Sequence, residues 1–324
     1  VNKQAAQDTA AFRPSNDGRL LAVKPMNSNK EGFICMVKRQ KIMERGMSWL
    51  FALCACMSIV AVALICVFLF ANGIPAIKEI GAVQFLFGTD WSPKNQPASY
   101  GILPMIIGSL CVTAGAVVIG LPIGLLTAIY LSRFCPEKLH KALEPLVQLM
   151  AGIPSIIYGF FGLVVMVPLA RNLHGCTGVS MLTAAVLLGI MILPTIINLS
   201  ESALNAVPNS YYEGALALGS THEHATFFAV LPAAKSGILA AAVLGIGRAI
   251  GETMAVIMVA GNQARIPTSI LRGVRTMTAN IVLEMGYATG LHRQALIATG
   301  VVLFIFILII NISFAIIKKR GEKI

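Results

Sequence analysis

The apolar residues of this chain neither alternate nor keep to a narrow helical stripe. They run in long blocks free of Asp, Glu, Lys and Arg, covering residues 46–77, 95–132, 145–170, 172–200 and 294–317. A sixth block, 236–264, is equally apolar but carries Arg248 and Glu252. A helix needs about 20 mostly apolar residues to cross the hydrocarbon layer, so the pattern predicts an all-α integral membrane protein with six transmembrane helices. The second helix is expected from about Gly101, because Ser92-Pro93, Gln96-Pro97 and Ser99 read as loop. The chain then divides into a polar tail (1–45), a first helix with its outer loop (46–100), a core of five helices (101–317) containing a polar loop at 202–234, and a short tail (318–324). The first tail lacks the early apolar core of a cleavable signal peptide and is expected to be mostly disordered.

Composition agrees with this reading: 56% of the 324 residues are hydrophobic and 12% charged, about half the charge of an average soluble domain. The formal charge of +11 need not mean nucleic acid, because basic residues collect on the cytoplasmic flanks of membrane helices. Lys38, Arg39, Lys41, Arg45, Arg133, Lys138, Lys141, Lys235, Lys318, Lys319, Arg320 and Lys323 fall on one side of the predicted membrane. The smaller set Lys78, Lys94, Arg171, Arg265, Arg272, Arg275 and Arg293 falls on the other. Both termini are therefore expected inside. The seven cysteines include no CxxC pair, and Cys54, Cys56, Cys66 and Cys111 lie in apolar runs as small hydrophobes.

Catalytic signatures are missing. There is no GxxxxGK[ST] phosphate loop, no HExxH and no GxSxG elbow, so no enzymatic activity, cofactor or metal is expected. Gly245, Gly247 and Gly251 lack the dinucleotide-binding spacing and sit mid-span. His222 and His224, with Glu223 between them, make a weak metal site and read more simply as a solvated polar face.

Prolines recur inside the spans at Pro104, Pro122, Pro154, Pro168 and Pro194, where each is expected to kink its helix. The pairs Gly120-x-x-x-Gly124 and Gly247-x-x-x-Gly251 permit close helix contact. In the polar loop, Ser210 precedes Glu213 and Ser220 precedes Glu223 by three residues, which reads as two capping boxes. Gly219 between them suits a left-handed helix end, and Pro232 marks a later break. The loop is thus expected to form two short helices. Some of Tyr211, Tyr212, Leu216, Leu218, Phe227 and Phe228 would anchor them to the bundle and others would face a partner.

Arg248 and Glu252 are four residues apart and would share one face of the fifth helix. A charge at mid-membrane costs about 2.5–3.5 kcal/mol on insertion scales. Two readings compete: a structural ion pair, or a transport pathway in which the planar guanidinium binds an oxyanion. In the second, Glu252 would neutralise Arg248 when the path is empty and accept a hydrogen bond from the protonated oxygen of monohydrogen phosphate when it is filled. The loop arginines Arg265, Arg272, Arg275 and Arg293 could form a basic funnel outside.

Two stretches carry a family resemblance. Glu213-Gly214-Ala215, Gly219 and Leu231-Pro232 resemble the EAA loop of ABC importer permeases. The run from Leu244 to Val256, with Ala151–Gly159, Thr278–Ile281 and Glu284, is similar to phosphate-specific ABC permeases; Trp91 and the order of motifs fit their PstC type. The resemblance spans the first helix to the C-terminus. It implies a type I ABC importer permease fold and a non-catalytic subunit of an ATP-driven phosphate importer in a bacterial or archaeal cytoplasmic membrane. Its implied partners are a second permease of PstA type, two PstB-type ATP-binding subunits and an external PstS-type phosphate-binding protein. Glu213, Gly214, Ala215, Gly219, Leu231 and Pro232 would couple to the ATPase, and Arg248 and Glu252 would line the path. Ser155 and Tyr158, after the Pro154 kink, are candidate hydroxyl donors to substrate or, equally, packing residues with local hydrogen bonds. The alternatives are an importer of sulfate or molybdate, which would share the coupling loop, or a self-sufficient ion-coupled carrier using Arg248 and Glu252 as a relay.

Overall fold

The computed structural model describes residues 12–14, 20–22, 28–172, 175 and 177–321. Residues 1–66 and 67–324 form two compact units. In the first, strands β1 (Phe12–Pro14) and β2 (Leu20–Ala22) pair antiparallel. Helix α1 spans Ser28–Ile80, extending from the polar tail into the apolar stretch that begins at Gly46.

The remaining elements are α2 (Ala82–Phe87), the β3–β4 hairpin (Trp91–Ser92 and Ser99–Tyr100), α3 (Leu103–Ile129), α4 (Glu137–Gly152), α5 (Ser155–Phe161), α6 (Val167–Arg171) and α7 (Met181–Asn205). The loop helices α8 (Asn209–Ala217), α9 (His222–Ala225) and α10 (Leu231–Ala233) follow, then α11 (Lys235–Gly251), α12 (Met254–Val259), α13 (Met277–Met285) and α14 (Gly290–Gly321). Single π-helical turns occupy Tyr130–Phe134, Gly162–Met166 and Thr226–Val230.

Among the described residues, four helices are long and apolar enough to span a membrane: Gly46–Ile80, Leu103–Phe134, Met181–Asn205 and Gly290–Ile316. The other two expected spans are bent. The third is Glu137–Gly152 joined to Ser155–Arg171 at 95°; the fifth begins with Lys235–Gly251, set at 70° to the loop helices His222–Ala233, and breaks at Glu252 before α12. The third breaks where proline lacks an amide and pushes its predecessor out of the helical region: Ile153 has φ −70° and ψ 125°. Pro104 produces no kink, because it lies in the first turn of α3, where its missing donor costs nothing.

Burial runs against hydropathy. The Met181–Asn205 span has mean hydropathy 2.2 and 61% of its most apolar window buried; Gly290–Ile316 has 2.9 and 28%. Lipid is as apolar as leucine, so the most apolar helices gain nothing by moving inward, while small residues allow close packing. The α3–α7 seam illustrates this. A Cβ on Gly120 would stand 2.8 Å from the Gly189 carbonyl, and one on Gly124 2.8 Å from Ile196. Around this seam Val112, Ala116, Leu187, Leu188, Ile192 and Ile196 form the central core. A second cluster joins Phe85, Trp91, Tyr100, Met105, Met277 and Leu296 at one end of the bundle. A third joins Ala128, Ile129, Leu204, Val207, Val230 and Ala234 at the loop end.

Candidate functional site

Helix α11 brings Arg248 to the surface of the chain. Its guanidinium Nη1 donates to Thr195 Oγ1 on α7 at 3.2 Å. Arg248, Thr195 and Asn311 are the polar lining of a cavity of about 720 Å³ whose other walls are apolar side chains of α11 and α14. Gly247 and Gly251, on the same exposed stripe, have nothing within 4 Å of where a Cβ would stand. Unlike Gly120 and Gly124, this second glycine pair is not used for packing inside the chain.

Glu252 is not the partner expected from its spacing. Helix α11 stops at Gly251, and Glu252 is extended, with φ −68° and ψ 132°. No salt bridge among the described residues joins it to Arg248. Its Oε1 instead accepts from the amides of Thr253 at 3.1 Å and Ala255 at 3.3 Å. A carboxylate placed at the start of a helix satisfies amides that have no intrahelical acceptor, so Glu252 secures the break between α11 and α12. Thr278 of α13 holds the same break from the other side, its hydroxyl donating to the Glu252 carbonyl at 3.1 Å.

The Pro154 region is built similarly. The Tyr158 hydroxyl donates to the Met150 carbonyl at 2.8 Å, across the α4–α5 bend. Its donor is therefore committed to the backbone, and the packing reading fits it. Ser155, half-buried, opens α5 without a side-chain hydrogen bond among the described residues.

In the polar loop, Gly219 has φ +86°. The Ser220 amide bonds the Ala215 carbonyl and the Gly219 amide bonds the Leu216 carbonyl, the paired bonds of a Schellman end. The capping residues are displaced from expectation. Ser210 lies inside α8, and α9 is capped by Thr221, which accepts from the His224 amide at 3.3 Å, rather than by Ser220. Hydrogen bonds from the Glu223 amide and the Thr221 hydroxyl hold the Glu223 carboxyl below its usual value. Of the matched loop residues, Glu213, Gly214, Gly219 and Pro232 are exposed, while Ala215 and Leu231 are half-buried. Leu218 and Phe228, at 90% and 71% exposure, project beside them as an uncovered apolar surface.

Two sites escaped the sequence reading. Arg275 does not belong with the exposed Arg265, Arg272 and Arg293. Its Nη1 donates to Glu284 Oε1 at 2.7 Å and Asn280 Oδ1 at 3.0 Å, and its Nε to the Asn262 carbonyl at 2.9 Å. Trp91 Nε1 donates to Glu284 Oε2 at 2.9 Å, with His292 Nε2 at the same distance. Burial pushes the Glu284 carboxyl up, but the Trp91, His292 and Arg275 hydrogen bonds outweigh it and leave it below its usual value. The second site is His222, which is half-buried with both ring nitrogens bonded. Each site is completed by a partner remote in the chain, Trp91 for Glu284 and the Arg133 carbonyl for His222, for which the sequence holds no local signal.

Residues 120–323 match the family described as binding-protein-dependent transport system inner membrane component. Among relatives, the chain is 38% identical over 267 residues to a probable ABC transporter permease protein, YqgH, of Bacillus subtilis, covering 80% of this chain and 86% of that one. It is 35% identical over 263 residues to the phosphate transport system permease protein PstC of Mesorhizobium japonicum, covering 75% and 80%. Its fold resembles the crystal structure of a bacterial ABC transporter involved in the import of the acidic polysaccharide alginate, with TM-score 0.56 and 16% identity over 87% of this chain and 99% of that one. The broken helices, the exposed double-helix loop and this similarity over most of its length lead to one assignment: the chain belongs to the binding-protein-dependent transport system inner membrane component family.

Proposed function

We propose that this chain is one of two different permease subunits of an ATP-driven importer of inorganic phosphate. Such a subunit works with ATP-binding subunits on one side of the membrane and a solute-binding protein on the other. In this reading the partners are a PstA-type permease, a PstB-type ATP-binding pair and a PstS-type binding protein. Both termini and the Ser202–Ala234 loop face the cytoplasm of a bacterium or archaeon.

The observation that carries the reading is Arg248. It is a mid-span guanidinium with no carboxylate partner among the described residues, on an open glycine stripe beside a cavity of about 720 Å³. An uncompensated charge at that depth is expensive unless an anion visits it. Its fork donates parallel hydrogen bonds to a tetrahedral oxyanion. Glu252, engaged with the α12 amides, keeps the helix broken there and leaves the guanidinium available. Closure of the ATP-binding subunits would displace α8–α10 and rock the bent helices, switching the side from which Arg248 is reached. Similarity to proteins named as phosphate permeases supports the choice of anion.

The test is uptake of radiolabelled orthophosphate by the reconstituted complex, with sulfate and molybdate as competitors. Phosphate-stimulated ATP hydrolysis that neither competitor suppresses supports the reading. Equal competition by sulfate would replace it with a general oxyanion importer, and uptake by the purified chain without ATP would replace it with a carrier.

A further inference from the structure

His222 sits at the centre of a connected group at the loop end of the bundle. Its Nε2 lies 3.1 Å from the Arg133 carbonyl and its Nδ1 2.6 Å from the Tyr212 hydroxyl. A carbonyl only accepts, so Nε2 carries the hydrogen; in the neutral ring Nδ1 then accepts, and the Tyr212 hydroxyl donates to it. The ring also meets Phe134 edge-on, centroids 4.6 Å apart, and Tyr212 at 5.6 Å. Arg133 continues the connection. Its guanidinium lies 5.9 Å from the centre of the Tyr212 ring, and its Nη2 donates to the Leu204 carbonyl at the end of α7 at 2.9 Å.

One side chain thus joins α8, through Tyr212, to α9, on which His222 stands, and to the turn that ends α3, through Arg133 and Phe134. Among the described residues, Tyr212 makes the only side-chain hydrogen bond of α8. The Ser132 and Arg133 side chains also bond Asn205 and the Leu204 carbonyl, but these hold the end of α7; α8 and α9 themselves otherwise meet the bundle through the apolar cluster of Leu204, Val207, Val230 and their neighbours, and apolar contact has no direction. A helix held that way can slide without pulling on what lies beneath it. The His222 bonds are directional, so α8 cannot shift against α3 without breaking them. Helices α3 and α9 both run on into π-helical turns, Tyr130–Phe134 and Thr226–Val230, a geometry frequent at functional sites.

We propose that His222 is a positioning residue that carries movement of the docking helix α8 into α3, and so couples ATP hydrolysis to exposure of the Arg248 path. This rests on the reading of Ser202–Ala234 as the loop on which the ATP-binding subunits dock. The test uses the complete importer in liposomes with its binding protein, measuring phosphate imported per ATP hydrolysed. His222→Ala, in a complex that still co-purifies with its ATP-binding subunits, is expected to lower that ratio about ten-fold, as loss of two hydrogen bonds implies. His222→Gln, whose amide nitrogen can reach the Arg133 carbonyl, and Tyr212→Phe, which leaves the Nε2 bond in place, are each expected to lower it about three-fold.

An unchanged ratio in His222→Ala overturns the proposal, because a merely structural histidine would alter the yield of complex and not its stoichiometry of transport. If His222→Ala does not assemble, Tyr212→Phe decides, and an unchanged ratio there overturns it equally. A wild-type complex without phosphate-dependent hydrolysis defeats the docking reading together with the inference. Normal wild-type coupling with an unchanged variant defeats the inference alone.

Discussion

Two glycine pairs with identical spacing meet opposite surroundings. Gly120 and Gly124 press α3 against α7, with no room for a methyl group; Gly247 and Gly251 on α11 face open space. The two arginines follow the same division. Arg275 is enclosed by Glu284, Asn280 and the Asn262 carbonyl, whereas Arg248 holds one threonine hydroxyl and faces a cavity. The difference separates residues that hold the bundle together from residues presented to something outside this chain. A small or charged residue whose needs are met internally is structural; the same residue with those needs unmet, at a depth where unmet needs are costly, marks a place for a visitor or a partner subunit.

The comparison can be broken by substitution, the largest effect being expected at Arg275. Arg275→Ala leaves Glu284 buried with its closest cation removed and should destabilise the chain by about 3 kcal/mol, seen as a lower thermal midpoint in detergent and reduced complex yield. Arg248→Ala should do the reverse, leaving the midpoint unchanged while phosphate uptake falls about a hundred-fold, equivalent to about 3 kcal/mol of charge-assisted hydrogen bonding. If uptake survives, the open face is not the path. Gly120→Leu should cost about 1–3 kcal/mol through overpacking against Gly189 and Ile192, again read from the melt. Gly247→Ala should fold slightly better, by about 0.5–1 kcal/mol of helix propensity. Any loss of uptake in that variant would place a neighbour or the substrate against the stripe.

The smallest effect concerns pH. The Glu284 carboxyl is held below its ordinary value of 4.5, so the unfolded chain binds the proton more readily than the folded one. The stability it contributes is complete above about pH 4.5 and is lost as pH falls through the lower, folded value. Unfolding midpoints of wild type and Glu284→Gln should therefore converge as the pH is taken below that value. Parallel curves would show that the cluster contributes nothing through this ionisation.

Much of this was legible beforehand where the governing interaction is local. The apolar blocks appear as helices because transfer into lipid is a property of about 20 consecutive residues. Gly219 reads as a helix end because only its own φ is at stake. The readings that shifted were those in which a second local solution competes. Ser210 and Ser220 offered hydroxyls, yet Pro208 precedes α8 and Thr221, one residue beyond Ser220, caps α9. Arg248 and Glu252 had the spacing of a helical pair, yet Glu252 found two amides of its own chain immediately after it.

The sequence by itself determined that the chain is a bundle of membrane-spanning helices, and which span carries charge and where the exposed polar loop lies. Tertiary structure alone decided which of those charges are satisfied. Trp91 reaches Glu284 across 193 positions, Ser109 reaches Met277 across 168, and His222 reaches Arg133 across 89. Hydrogen bonds act over about 3 Å, so their partners are set by the folded packing of distant segments, for which consecutive residues hold no local signal.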